Sequence, residues 1–333
     1  MKKFTKKLAA AAMALTMLAG TGCAAAGKSA DSEDKLGIVC TIFPEYDWVR
    51  EILGDKADGA EITYLLDKGA DLHSFQPTAE DIAKISRCDL FIYVGGESDE
   101  WAEDALKEAT NKDMKVIDLL STVGDGAKVE ELKEGMEPEE EEEEAEGEGE
   151  GEEEPEYDEH VWLSLKNAET ICGEIEKALA ELDPDNSDTY KANLDAYNEK
   201  LSALDSDFKT LIDGAGGTTL IFGDRFPFRY FADDYGIDYY AAFVGCSAET
   251  EASFKTIAFL AEKADELNAD TIYTIENSDG KIAQAIIGAS SKGGMTVAEL
   301  NSVQSVSREQ IEGGATYLSL MRKNYDVLKA DIG

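Results

Sequence analysis

The sequence predicts an α/β protein of two similar lobes, each a mainly parallel sheet flanked by helices, joined by a long linking helix. Two observations support this fold class. Short β-branched segments alternate with segments of helical periodicity in both halves of the chain, an order typical of parallel sheets covered by helices on both faces. Between the halves, residues 187–213 carry a long helical pattern, which we assign to a linking helix over residues 187–215. Its apolar positions, spaced by three or four residues, are Leu194, Tyr197, Leu201, Leu204 and Phe208.

Each half contains four predicted strands. In the first half they are LGIVCTIF (36–43), EITYLL (61–66), DLFIYVGG (89–96) and MKVIDL (114–119). In the second half they are TTLIFGD (218–224), IDYYAAF (237–243), ADTIYTIE (269–276) and MTVAEL (295–300). Among the predicted helices, the one after Thr78 has a clear start, because Asp81 follows the threonine by three positions and completes a capping box.

The N-terminus predicts an export signal. Four lysines within the first seven residues precede an apolar run that is too short for a confident membrane span. The run ends at Gly22-Cys23, which resembles a bacterial lipoprotein cleavage site with Cys23 as the lipidated residue, although Gly20 departs from the usual branched apolar residue. We therefore expect an extracytoplasmic protein, anchored to the bacterial cell membrane as a lipoprotein or free in the periplasm.

The net charge of −40 argues against nucleic acid and anionic lipid as partners. Much of this charge is local, because residues 137–159 contain 16 acidic residues in 23 positions. Such a run cannot bury a core, so we expect a solvated loop, with weak collection of cations as a second possible role. No CxxC pair occurs among the cysteines other than Cys23, which are Cys40, Cys88, Cys172 and Cys246. This argues against a zinc ribbon and leaves disulfide pairing open.

Seven segments follow from these patterns. They are a signal peptide (1–23), a flexible tether (24–35), an N-terminal α/β lobe (36–128), an acidic disordered loop (129–159), the end of the N-terminal lobe (160–186), the linking helix (187–215) and a C-terminal α/β lobe (216–333).

The chain has two histidines, and both stand in positions that suit a ligand site. His73 lies in a loop directly after a predicted strand, and ligand sites of open α/β sheets form beyond the carboxyl ends of the strands. His160 lies at the exit of the acidic run, before the apolar VWL. Neutral imidazole is a common ligand for transition metals, and carboxylates complete such sites. Neither histidine has a partner four positions on, so the HExxH pattern of zinc proteases is absent.

Several motifs together resemble one family. These are LHSFQP around His73, YVGGESDEW (93–101), DEHVWLSL around His160, GCSAETEAS (245–253) and the closing GATYLSLMRKNYDVL. The chain is similar to the zinc- and manganese-binding lipoproteins that serve bacterial ABC importers, the cluster A-I metal solute-binding proteins. The resemblance implies that His73 and His160 are metal ligands. It also implies that the ion is bound in a cleft between lobes and delivered to an ABC transporter permease.

The chain departs from this family at the other expected ligands. Strict counting from FRYF places Arg225 at the third ligand position, and a guanidinium has no lone pair to donate. Asp224, one residue earlier, is the candidate substitute if the loop shifts, and the alternative is that Asp224 pairs with Arg225 or Arg229. The fourth position falls near Asn301, whose amide would be a weak ligand. Glu249 and Glu251 are further candidates, as ligands or as residues that orient ligands.

The resulting expectation is a high-affinity receptor for a divalent transition metal, with zinc (Zn2+) as the transported ligand and manganese (Mn2+) as the alternative. Two histidines and a carboxylate suit zinc, whereas manganese and iron favour shells richer in oxygen. A different class, an acidic surface adhesin or interaction lipoprotein, would use the Glu-Gly run as its working part. An enzyme is not expected, because no motif marks a general base beside the histidines.

Overall fold

The computed structural model describes residues 35–137, 156–249 and 251–333. The expected signal peptide with Cys23, nearly all of the tether and most of the acidic run lie outside the described residues. The described chain carries two four-stranded sheets, and every strand pairing in them is parallel. The strands are β1 (Leu36–Cys40), β2 (Ala60–Tyr64), β3 (Leu90–Tyr93), β4 (Lys115–Asp118), β5 (Thr219–Arg225), β6 (Asp238–Phe243), β7 (Thr271–Thr274) and β8 (Thr296–Glu299).

The two sheets have the same internal order. The first runs β2-β1-β3-β4 and the second β6-β5-β7-β8, so in each the strand that comes first along the chain lies second in the sheet. In the first sheet, Ile38 stands opposite Ile62 on one side and Leu90 on the other. All eight predicted strands are present, and the predicted fold class of two similar α/β lobes is confirmed.

Helices flank both sheets. They are α1 (Phe43–Leu53), α2 (Ala79–Ile85), α3 (Trp101–Lys107), α4 (Leu119–Val123), α5 (Leu165–Leu182), α6 (Ser187–Ala215), α7 (Arg229–Tyr235), α8 (Phe254–Glu266), α9 (Lys281–Ala289), α10 (Arg308–Glu312) and α11 (Tyr317–Ile332). Helix α2 begins as predicted, since the Thr78 hydroxyl accepts from the Asp81 N–H and the Asp81 carboxylate accepts from the Thr78 N–H.

The long helix α6 packs along both halves of the chain. All five apolar positions predicted for it are buried. The helix ends at Gly216, whose φ of 74° lies in the left-handed region that glycine adopts without steric cost. This is the linking helix that the periodicity predicted.

One apolar core extends through both halves. Trp48 on α1 packs edge-on against Tyr317 on α11, with ring centroids 5.0 Å apart. The Tyr317 hydroxyl donates to the Trp162 carbonyl oxygen at 2.6 Å, and the Trp162 indole N–H donates to the Ser302 carbonyl oxygen at 2.8 Å. Since Trp48 and Tyr317 come from opposite ends of the sequence and Trp162 from its middle, the core itself ties the two halves together.

The acidic run differs from the expected disordered loop at both of its ends. Val129 forms a bridge with Tyr157, and the Glu137 N–H donates to the Ala242 carbonyl oxygen at 2.9 Å. The Glu137 carboxylate also accepts from the Ser253 N–H at 2.7 Å, at the start of α8. Residues 129–137 and 156–159 are therefore ordered, because their backbone groups pair with each other and with the second sheet.

The four cysteines in the described part of the chain, Cys40, Cys88, Cys172 and Cys246, are all free, so none of them pairs with another. Among residues 35–137, 156–249 and 251–333, no helix combines the length and the apolar character needed to cross a membrane.

One buried carboxyl group makes the stability of the fold depend on pH. Asp47 on α1 is buried, and its Oδ2 accepts from the Tyr317 N–H at 2.8 Å. Burial raises the pKa of Asp47 to about 7. Because the folded protein binds this proton more tightly than the unfolded chain does, the Asp47 contribution to stability falls as pH rises from about 4 to about 7.

We expect Asp47→Asn to keep the acceptor for Tyr317 and to remove the cost of ionising a buried group. Its stability advantage over the wild-type protein should grow by roughly 2–3 kcal/mol between about pH 5 and about pH 8. Urea unfolding at the two pH values measures this difference. The exposed Asp185→Asn variant is the control and should show no such growth; an Asp47→Asn advantage that is equal at both pH values would contradict the assignment.

Candidate metal centre

His73 is positioned by a short turn after strand β2. Asp71 caps this turn, since its Oδ1 accepts from the His73 N–H at 3.0 Å. The His73 Nδ1 lies 2.9 Å from the Ser98 hydroxyl and 3.4 Å from Glu159 Oε2. Only 4% of the His73 side chain is exposed. The Nδ1 side of the ring is thus held by polar partners, which leaves Nε2 to face the interior.

His160 is held in a similar way on the other side of the centre. The Asp158 Oδ1 accepts from the His160 N–H at 2.9 Å and lies 3.1 Å from its Nδ1. His160 is fully buried. Burial, followed by the nearby His73 and Arg225, holds the pKa of His160 well below its ordinary value. A neutral ring with the Nδ1 proton directed at Asp158 presents the Nε2 lone pair, which is the form that ligates metals.

The two Nε2 atoms face each other at 3.2 Å. Zinc–nitrogen bonds are about 2.0–2.1 Å long, so two ligand nitrogens at a tetrahedral angle lie about 3.3–3.4 Å apart. The observed separation matches this requirement closely. A hydrogen bond across the gap needs a proton on one of the two nitrogens, and a cation takes the place of that proton when both act as ligands.

A third side chain joins the pair. Within the described residues, the one group of three or more histidine, cysteine and acidic side chains whose ligand atoms all lie within 4.8 Å of one another consists of His73, His160 and Cys246. Cys246 follows β6 and is partly buried. Burial, followed by the carboxylates of Asp158 and Glu130, raises the pKa of the Cys246 thiol. Sequence reasoning missed this residue, although its place directly after a predicted strand was a signal that could have found it.

The structure does not bring Asp224, the expected third ligand, into this group. Its Oδ1 accepts from the Arg225 N–H at 2.9 Å, and a hydrogen bond with Ser278 also engages the carboxylate. The Arg225 guanidinium forms an ion pair with Asp71 instead and donates to the Ser247 carbonyl oxygen at 3.2 Å. The carboxylate of Asp224 therefore has other partners, while Arg225 bridges the loops that carry His73 and Cys246.

The remaining candidates also lie outside the group. Glu249 and Glu251 are exposed. The Asn301 Oδ1 accepts from the Val303 N–H at 2.8 Å, so this amide stabilises a local turn, in which Val303 has a φ of 66°. Sequence reasoning did not single out Gln304, which is fully buried and whose Nε2 donates to Asp71 Oδ2 at 3.2 Å.

A cavity of about 680 Å³ opens beside the centre. His73 lines it, together with Asp71, Asp224, Arg225 and Glu276. His160 is not among the lining residues, so the cavity reaches the centre from the His73 side. Its carboxylates favour the approach of a cation.

Two facing histidines between two parallel-sheet lobes form an arrangement suited to holding a transition-metal ion. The chain belongs to the ZnuA family, described as zinc-uptake complex component A periplasmic, whose model matches residues 38–331. The high-affinity zinc uptake system protein ZnuA of Bacillus subtilis (strain 168) is 32% identical over 314 residues, which cover 94% of this chain and 93% of that protein.

Other relatives are longer than this chain. The zinc-binding protein AdcA of Streptococcus pyogenes serotype M18 (strain MGAS8232) is 26% identical over 302 residues, which are 90% of this chain and 56% of that protein. The chain thus spans little more than half the length of such relatives.

Solved structures agree with the fold. The zinc-bound ZnuA-like domain of Streptococcus pneumoniae AdcA superimposes with a TM-score of 0.68 at 28% identity, covering 90% of this chain and 99% of that one. The metal-dependent lipoprotein YcdH of Bacillus subtilis gives a TM-score of 0.69 at 28% identity, with the same coverage.

Proposed function

We propose that this protein is an extracytoplasmic receptor that binds zinc with high affinity between its two lobes and delivers it to the permease of an ABC importer. His73 and His160 are the proposed nitrogen ligands. The observation that carries the proposal is the 3.2 Å separation of their Nε2 atoms, with each Nδ1 held by a polar partner. Such preorganisation lowers the cost of binding, because the ligands need little rearrangement.

The relatives support zinc as the transported ion. A ZnuA of similar length is 32% identical, and a zinc-bound domain has the same fold. These comparisons do not favour the manganese receptor or the acidic adhesin. The receptor role requires binding and release and no chemical step, so we propose no catalytic residue.

The membrane is the proposed place of action. Cys23 would carry the lipid, consistent with a zinc-binding lipoprotein AdcA of Streptococcus pneumoniae that is 30% identical to this chain. The family description as a component of a zinc-uptake complex supports a permease as the partner. The acidic run between Glu137 and Glu156 would then concentrate cations near the receptor without binding them tightly.

Calorimetric titration of residues 24–333, stripped of metal, tests the proposal. We expect one zinc site with a dissociation constant in the nanomolar range, which corresponds to a binding free energy of about −12 kcal/mol. Manganese binding should be much weaker. A variant lacking residues 138–155 should keep this site, because its ligands lie elsewhere. Tight manganese with weak zinc would overturn the choice of metal. Weak multiple binding that disappears with the deletion would overturn the receptor itself.

A further inference from the structure

We propose that Cys246 supplies a thiolate to the ion held by His73 and His160, so that this receptor uses a two-nitrogen, one-sulfur centre selective for thiophilic cations such as zinc and cadmium. The inference rests on the proposed function and adds a ligand and a selectivity to it. Its starting point is the close grouping of the two imidazole nitrogens and the Cys246 sulfur, all within 4.8 Å of one another.

The backbone around Cys246 packs closely against His160. A Cβ at Gly245 would lie 3.0 Å from Asp158 Oδ2 and 3.3 Å from His160 Cε1, so a residue without a side chain lets this segment approach His160. The Cys246 N–H donates to Glu130 Oε1 at 2.9 Å. On the other side, the carbonyl oxygen of buried Ser247 accepts from Arg225. Backbone hydrogen bonds at Cys246 and at Ser247 therefore hold this segment, and with it the thiol, beside the histidines.

The other candidates for a third ligand are engaged elsewhere. Arg225 pairs with Asp71 and has no lone pair to give. Asp224 accepts from the Arg225 N–H, and the Asn301 amide stabilises its own turn. Glu249 is exposed. Among the described residues, Cys246 is thus the side chain that completes a three-ligand group.

The geometry suits a zinc ion. With zinc–sulfur and zinc–nitrogen bonds of about 2.3 and 2.0–2.1 Å, a tetrahedral ion places sulfur and nitrogen about 3.6 Å apart. Because the three ligand atoms lie within 4.8 Å of one another, sulfur and nitrogen need to approach by about 1.2 Å at most. On binding, the S–H bond breaks, the sulfur–metal bond forms and the proton leaves to solvent.

A thiolate changes which ions the centre prefers. Soft sulfur ligands favour zinc and related thiophilic ions, whereas manganese prefers carboxylate, carbonyl and water oxygens. In a chain that has only two histidines, the sulfur replaces a third nitrogen with a donor that manganese binds poorly. Selectivity for zinc over manganese is therefore assigned to Cys246.

Two spectroscopic measurements on residues 24–333 test this ligand. Zinc-edge X-ray absorption of the wild-type protein should show one sulfur neighbour at about 2.3 Å beside the nitrogens. Cobalt(II) bound in place of zinc should give a sulfur-to-cobalt charge-transfer band in the near ultraviolet. Cys246→Ser should lose this band, and Cys88→Ser, at a buried cysteine in a different apolar cluster of the first lobe, should keep it.

Affinity provides the second readout. Cys246→Ser should weaken zinc binding by at least about 100-fold, because even residues that only orient a ligand are worth about 10–100-fold. Manganese binding should change far less, so the preference for zinc shrinks. A zinc shell of nitrogen and oxygen alone, or a cobalt band that survives in Cys246→Ser, would overturn the inference. Nanomolar zinc binding would then still uphold the receptor, whereas its absence in the wild-type protein would overturn both.

Discussion

Replacing His160 by alanine is expected to abolish nanomolar zinc binding. Apparent binding free energies of zinc in structural sites are about 10–16 kcal/mol, so one ligand of four accounts for about 3–4 kcal/mol, or roughly 100- to 1,000-fold in affinity. The loss at His160 should reach the upper end of this range. Its ring is fully buried and faces His73 Nε2 at 3.2 Å, and its removal also leaves the buried Asp158 carboxyl without the ring partner.

Competition titration with a chelator of known zinc affinity measures this change. His73→Ala is expected to behave alike, because both rings contribute one nitrogen. Gln76→Ala alters an exposed residue of the His73 loop and should leave the affinity unchanged. If His160→Ala and Gln76→Ala bind zinc equally well, the paired-histidine centre is not the binding site.

The second large effect concerns the shared core. We expect Trp48→Ala to lower the free energy of unfolding by about 3–5 kcal/mol, the usual cost of removing a buried aromatic side chain. Trp48 is fully buried and packs on Tyr317, which in turn bonds to the Trp162 carbonyl oxygen. Because this cluster joins the first and last parts of the chain, both lobes should lose stability together.

Urea unfolding followed by two probes shows whether the two lobes lose stability together or independently. Hydrogen exchange of the β1 and β3 amides reports on the first lobe, and hydrogen exchange of the β5 and β7 amides reports on the second. The two transitions should coincide in wild type and variant. Phe254→Ala, at an aromatic residue that is 93% exposed, should change stability by less than about 0.5 kcal/mol. Second-lobe amides that keep their protection in Trp48→Ala would contradict a shared core.

Much of the fold was accessible from the sequence because its patterns are local. The β-branched runs predicted all eight strands, and the spacing from Leu194 to Phe208 predicted the buried face of α6. The capping box at Thr78 was confirmed. The ordered backbone at the two ends of the acidic run was not predicted. At Glu137 it comes from pairing with Ala242, a residue distant in sequence.

The candidate site was predictable only in part. His73 and His160 follow recognisable motifs, whereas Cys246 reaches them through the packing of Gly245 against His160. Arg225 was expected to lack a ligand role, with its neighbour Asp224 as one candidate partner. The structure pairs it with Asp71, on the loop of the other lobe. Contacts between distant loops depend on how the lobes dock, which no local pattern encodes.

The cavity beside His73 bears on how an ion loses its water. A water molecule occupies about 30 Å³ in the liquid, so an ion with a full first shell of waters needs on the order of 200 Å³. The cavity of about 680 Å³ has more than this volume. For the proposed ligands, dehydration would then proceed inside the protein, with His73, which lines the cavity, replacing water before the enclosed His160 does. Capture would thereby be divided into successive ligand exchanges, of which the last takes place at the buried His160.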